Sequence, residues 1–341
     1  MNAATVAGEK RSARKTLFFI ATYAISFGCL FWVLAHTDYE QMAHDIARMH
    51  WGWVSFAMTT DVLVYFFHGW RWSLLLSPLA PVPFWRSVRA IYVGLFANEI
   101  LPFRAGEVIR CYLQARWNVL PFSVTLSSAL IERIFDGVWL VICLAVALRI
   151  ARVPNAYVNV GTTLAVAVLA GSVLVGAAMF WKESTYAALS RNRYLRHLAV
   201  LLEDLHIIGH SRFLYFSAIA SAPYLLLQVL PIWAMGKAYG GVELSLGEAF
   251  VIMVIVRIAA IVPQAPGNLG LFNAAAIAGL GVFGIDKVTA SNFSLVLWAV
   301  ITLPLLVVGS IAVAITGARI GELHYEARAS MKRPAGSQRG A

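Results

Sequence analysis

Three sets of charged residues stand inside or beside apolar runs, where a charge is costly and must face a partner, a cavity or a substrate. The first is Arg104, Glu107 and Arg110, spaced by three so that all share one helical face. A guanidinium is a planar fork that matches phosphate. The set reads as a headgroup-phosphate site with Glu107 orienting the arginines; the plainer reading is a cytoplasmic loop with a surface ion pair. The second set is Glu132, Arg133 and Asp136. Glu132 and Asp136, four apart, share a face, and Arg133 precedes Asp136 by three. This set reads as a salt bridge that fixes helix packing, as part of a substrate path or proton relay, or as both. The third is Arg257, isolated in the apolar run 251–262, with Glu107, Glu132 and Asp136 as natural partners; with Arg104 and Arg110 it is expected to bind an anionic headgroup. Asn268 and Asn273 can add neutral hydrogen bonds or cap helices. Asp61, His68 and Arg71 share another run; Asp61 lies deeper, and Arg71 is expected to snorkel to the surface.

Two breaks must position these residues. Pro102 and Gly106 interrupt one apolar region, 85–117, and Pro266, Gly267 and Gly270 interrupt another, 246–284. Both breaks contain Pro-x-x-x-Gly, and each separates two stretches too short to span a bilayer comfortably. Paired interruptions in two halves point to a binding site at the bilayer midplane of a transporter. Both regions are expected to be re-entrant helical hairpins, because non-helical backbone at membrane depth is tolerated only when buried or lining a wet cavity.

The rest of the chain fits that frame. It has 341 residues, 60% hydrophobic and 13% charged, about half the charge of a soluble domain. Full spans are expected near 16–36, 51–77, 121–149, 159–181, 212–238 and 290–317. The expected architecture is an all-α polytopic membrane protein with about six spans plus two hairpins in an inverted repeat, its halves at 16–150 and 159–318. Eight ordinary spans are the alternative. The basic N-terminus (1–15) and the polar tail (319–341) are expected on the cytoplasmic side, because most of the 27 Lys and Arg then fall there. The apolar run 17–35 is too long for a signal peptide and lacks a good cleavage site. A net charge of +10 spread over loops beside apolar runs suits anionic lipid headgroups rather than nucleic acid.

Other motifs carry less. Cys29, Cys111 and Cys143 have no paired spacing and read as small membrane residues. His206 and His210 with Glu203 can form a metal site, but a solvated face of the amphipathic segment 184–210 is the simpler reading, and no metal or other cofactor is expected. Asp38-Tyr39-Glu40 is a D-x-E pattern that a lipid-linked glycosyltransferase would use to hold a metal and a phosphate. The short outside loops leave no room for an acceptor-binding domain.

The strings L-P-F-R-A-G-E-V-I-R at 101–110, E-R-I-F-D at 132–136 and P-G-N-L-G-L-F-N at 266–273 occur in order. Together they resemble the flippase-like membrane domain of bacterial lysylphosphatidylglycerol synthases and their stand-alone relatives, over about residues 15–320. The resemblance implies an inner-membrane protein that flips a lipid, or supports transfer of a modified lipid, glycolipid or polyisoprenoid; some stand-alone relatives are associated with hopanoids. Two departures matter. The synthases carry a soluble aminoacyl-transferase domain after the membrane part, so that enzymatic activity is not expected of this chain. The family's last motif commonly ends in a carboxylate where this chain has Asn273, which speaks against proton coupling there. The expected function is a lipid flippase-like transporter with membrane lipids as partners. The rivals are a lipid-modifying membrane enzyme and an accessory subunit that partners lipid-synthesis enzymes.

Overall fold

The computed structural model describes residues 23–101, 104–151, 211–260, 266–317 and 320–332, with isolated positions between 162 and 171. Pro102, the span expected at 159–181 and the amphipathic segment 184–210 fall wholly or largely outside the described residues. The described chain is all helical. In order it forms α1 (Tyr23–Ala35), α2 (Tyr39–Arg48), α3 (Trp51–Leu76), α4 (Phe84–Ile100), α5 (Ala105–Asn118), α6 (Phe122–Ile150), α7 (Arg212–Leu226), α8 (Val229–Ala238), α9 (Leu246–Ala259), α10 (Leu271–Val282), α11 (Lys287–Thr316) and α12 (Ile320–Lys332). The expected full spans in the described part correspond to α1, α3, α6, the pair α7–α8 and α11. The expected hairpins correspond to α4–α5 and α9–α10.

Length separates the two kinds of element. α3 and α6 have 26 and 29 residues and α11 has 30, about 40 Å or more at 1.5 Å per residue, enough for a bilayer core of about 30 Å. The α7–α8 pair (Arg212–Ala238) and α11 each contain an apolar stretch of spanning length nearly free of charge, with mean hydropathy 1.6 and 2.5. Their outer faces carry Tyr215, Ile219, Val307, Ile311 and Ile315, all exposed, as lipid-facing surfaces do. The hairpin helices have 17, 14, 14 and 12 residues, at or below the lower limit for crossing singly.

Two apolar cores lie at opposite ends of the long helices. One gathers Val54 and Ala57 of α3, Leu140 and Leu144 of α6 and Phe293 and Leu297 of α11 with α8, α9 and α10. The other gathers Trp72 and Leu76, Phe122 and Ala129, and Leu305 and Ala312 of the same three helices with α4 and α5. The two hairpins therefore pack in different cores. Between the cores runs a polar band, Asp61 to Arg71 on α3 and Glu132 to Asp136 on α6.

Local chemistry fixes the turns. In the second hairpin Gly267 (φ 78), Asn268 (φ 52) and Gly270 (φ 94) are all left-handed. Gly270 has no alternative, since a Cβ there would overlap the Ser26 carbonyl. Asn273 accepts from the Gly270 N–H at 3.1 Å and so caps α10. α12 is a difference from the sequence expectation, which placed a polar tail there. Leu323 and Ala327 are buried against the second core, and Glu326 accepts from Tyr112 of α5 at 2.7 Å, so an amphipathic stripe docks the start of that tail.

One turn yields a prediction. Asp286, exposed at the N-cap of α11, accepts from the Val288 and Thr289 N–H groups at 3.0 Å. Those bonds, Thr289 foremost, hold its carboxyl below the ordinary value of 3.8. Its contribution is thus present above that value and lost as pH falls through the lowered one. Asp286→Ala is expected to cost about 0.5–2 kcal/mol at neutral pH. In detergent melts the gap to wild type should shrink in acid; a gap constant with pH would rule out the carboxylate as the cap.

Candidate functional site

Three carboxylates and three guanidiniums in the polar band close into a ring. Glu132, on α6 and 0% exposed, accepts from Arg110 of α5 at 2.9 Å. Arg110 turns its other nitrogens to Glu107 at 2.9 and 3.0 Å. Glu107 accepts from Arg133 at 2.9 Å, and Arg133 meets Asp136 at 3.3 Å. Asp136 accepts from Arg71 of α3, and Arg71 returns to Glu132 at 3.3 Å. Every member has two partners of opposite charge, so the ring is neutral. Two faces of it are covered by aromatics: Arg110 lies over Trp72 at 4.5 Å and Arg71 over Tyr224 at 4.7 Å. His68 stands beside it, 3.2 Å from Glu132.

Sequence spacing accounts for part of the ring. The i, i+3 pairs Glu107–Arg110 and Arg133–Asp136 form, and Glu132 and Asp136 face the same partner, Arg71. Two expectations fail. Arg71 does not snorkel: it is 0% exposed and joins α3 to α6, because two carboxylates at its own depth hold it better than the interface would. Arg257 does not pair with Glu107, Glu132 or Asp136, because Arg71, Arg110 and Arg133 already neutralise them.

Arg257 faces a cavity of about 190 Å³ on the other side of the ring. Arg104 faces it too, from a left-handed residue (φ 52) immediately before α5. Among the described residues neither arginine forms an ion pair. Asp61 and Glu99 share the same wall, and the ring reaches it through Glu107 and Arg133. Asn268 lines the cavity as well and donates to Glu99 at 3.4 Å, while Trp298 donates to the Gly267 carbonyl at 2.8 Å. The break after α4 and the break before α10 therefore meet here. Asn273 is placed elsewhere, fully buried, where it also donates to the Ser294 carbonyl at 2.9 Å. Arg110 is likewise committed to the ring and away from the cavity wall. The glycine of the first break acts differently. A Cβ on Gly106 would overlap the Gly94 carbonyl, and the Gly106 N–H donates to Asn98 at 2.9 Å. Gly106 thus lets α4 and α5 touch backbone to backbone.

Glu99 escaped the sequence reading, although its signal was of the same kind: a carboxylate in an apolar run directly before a proline break. Asp38 of the D-x-E pattern caps α2, accepting from the Gln41 N–H at 3.0 Å. Among the described residues no three His, Cys, Asp or Glu side chains gather as metal ligands.

A helical bundle with apolar outer faces, and with its charges closed into an internal ring beside a polar cavity, defines an integral membrane protein. The chain belongs to the Lysylphosphatidylglycerol synthase TM region family, whose model matches residues 19–309. It is also 23% identical over 312 residues to a UPF0104 membrane protein of Methanothermobacter thermautotrophicus, covering 84% of this chain and 88% of that one. No solved structure matches the chain.

Proposed function

We propose that this protein is a lipid flippase-like transporter that moves an anionic or polar-headgroup lipid across the bacterial inner membrane. The observation that carries the reading is the pair Arg104 and Arg257: two guanidiniums without ion-pair partners among the described residues, facing one cavity where the two breaks meet. An unpaired cation in the bilayer is otherwise hard to account for. A phosphate between two forks satisfies both, while the acyl chains stay in the lipid. The hairpins are re-entrant, one from each side, in an inverted repeat with both termini cytoplasmic; their packing in opposite cores supports this. A gradient, or consumption of the lipid on the far side, sets the direction.

The test is translocation of labelled phosphatidylglycerol in proteoliposomes, normalised to folded protein. Arg104→Lys and Arg257→Lys keep the charge but lose the fork. Each is expected to slow translocation about tenfold or more, since a hydrogen bond to a charged group contributes about 1.5–3 kcal/mol. Wild-type rates in both would make these arginines structural and remove the proposal. The same assay separates the enzyme reading. Asp38→Ala and Glu40→Ala should leave translocation intact, whereas a D-x-E metal site would lose all function.

A further inference from the structure

The cavity holds a balanced set of charges. Arg104 and Arg257 supply two positive groups; Asp61 and Glu99 supply two negative ones. Unlike the ring, none of the four is locked in an ion pair among the described residues. Asp61 is only 9% exposed, yet it has no hydrogen bond or ion pair there, and its Oδ2 is buried and unpartnered. Glu99 receives only the long Asn268 contact, and its Oε2 is buried and unpartnered too. We infer that Asp61 and Glu99 form a proton-binding site coupled to the headgroup: a phosphodiester entering between Arg104 and Arg257 brings one proton with it. This rests on the headgroup reading proposed above and adds its co-substrate.

The reason is charge balance in a poorly solvated site. Empty and with both carboxylates ionised, the four groups sum to zero. A phosphodiester adds one negative charge, and an uncompensated charge there is costly. A proton from solvent on either carboxylate restores neutrality, and it leaves when the lipid leaves. The surroundings offer no substitute. Glu107 and Arg133 face the cavity but are held in the ring. His68 faces it from α3 and already borders Glu132 and the cationic Arg71. Tyr65 and Tyr224 line the cavity with their rings, and Tyr92 of α4 donates to the Val62 carbonyl at 2.6 Å. The α8 and α11 residues on the wall carry no charge. Proton coupling through the last motif, which Asn273 argues against, is not required: the carboxylates sit on α3 and α4 instead.

The experiment uses the purified full chain in detergent, weakly buffered near neutral pH with an indicator dye. Short-chain phosphatidylglycerol, short-chain phosphatidylcholine and the deacylated headgroup glycerophosphoglycerol are added in turn, and binding is followed in parallel by calorimetry. Phosphatidylglycerol is expected to bind with net uptake of up to about one proton per lipid, rising toward one as the pH is raised above neutral, and its affinity to fall by up to about tenfold for each unit rise in pH. Phosphatidylcholine, whose headgroup carries no net charge, should take up none. In the Asp61→Asn/Glu99→Gln double variant, phosphatidylglycerol should still bind, with proton uptake and pH slope both lost. Binding without proton uptake in the wild type, or a slope that survives in the double variant, overturns the coupling while leaving the headgroup site standing. Uptake with glycerophosphoglycerol equal to that with the lipid overturns a lipid as its source. If phosphatidylglycerol does not bind at all, the transporter reading falls and the coupling with it.

Discussion

Glu132→Ala is expected to be the most damaging single substitution in the ring. It removes the acid that is 0% exposed and that Arg71, Arg110 and His68 all approach. Two guanidiniums on α3 and α5 are then left facing each other without their shared counter-charge. Breaking one partner of a buried pair costs about 3–5 kcal/mol, and here two pairs break at once. The expected result is a large loss of monodisperse protein on gel filtration in mild detergent, and a melt displaced far more than that of Arg104→Lys. Glu132→Gln keeps the shape and loses the charge, and should fall between. If Glu132→Ala purifies and melts like wild type, the ring is not what joins α3, α5 and α6.

A comparable loss is expected of Gly106→Leu, for a reason unrelated to charge. Even a single Cβ on Gly106 overlaps the Gly94 carbonyl and comes within 2.6 Å of Asn98 Oδ1. The first of these neighbours is backbone, so neither helix can yield by a rotamer change. Gly106→Ala should cost at least the ~1–3 kcal/mol typical of overpacking, and Gly106→Leu should separate α4 from α5. Because both helices end at the cavity, translocation should fall together with stability. Gly52→Ala, where nothing lies within 4 Å, is the matched control. A Gly106→Leu protein with wild-type stability would show that the two helices need not touch.

The helix breaks and long helices were legible because each signal is local. A proline and glycines between short apolar runs mark a turn, and run length marks a span. The ring was half legible. Spacing by three and four finds Glu107–Arg110 and Arg133–Asp136, which lie on single helices. It cannot find Arg71, whose partners are 61 and 65 positions away and are set by how α3 packs on α6. The same blindness mispaired Arg257. A lone charge invites pairing with any acid in the membrane, and only the packing shows that other arginines had already neutralised those three. Asp61 was noticed for its depth, whereas Glu99 went unseen beside the louder proline signal. α12 was missed because its apolar stripe is narrow and its overall composition polar.

The two hairpins differ in how they are held. Glu107 and Arg110 bind the first into the ring, and Tyr112 and Arg116 tie it from outside to Glu326 of α12 at 2.7 and 3.3 Å. The second is fastened to its neighbours by uncharged donors: Asn268 to Glu99, Trp298 to Gly267, Asn273 to Ser294. Such bonds exchange with water for about 0.5–1.5 kcal/mol each, whereas opening the ring exposes or strands formal charges. The two helix pairs are thus held by bonds of unequal strength. The bonds that must break to move α9 and α10, which carry Arg257, are weaker than those that hold α5 behind Arg104. The grip on a phosphate would be tightened or released by one moving jaw rather than two.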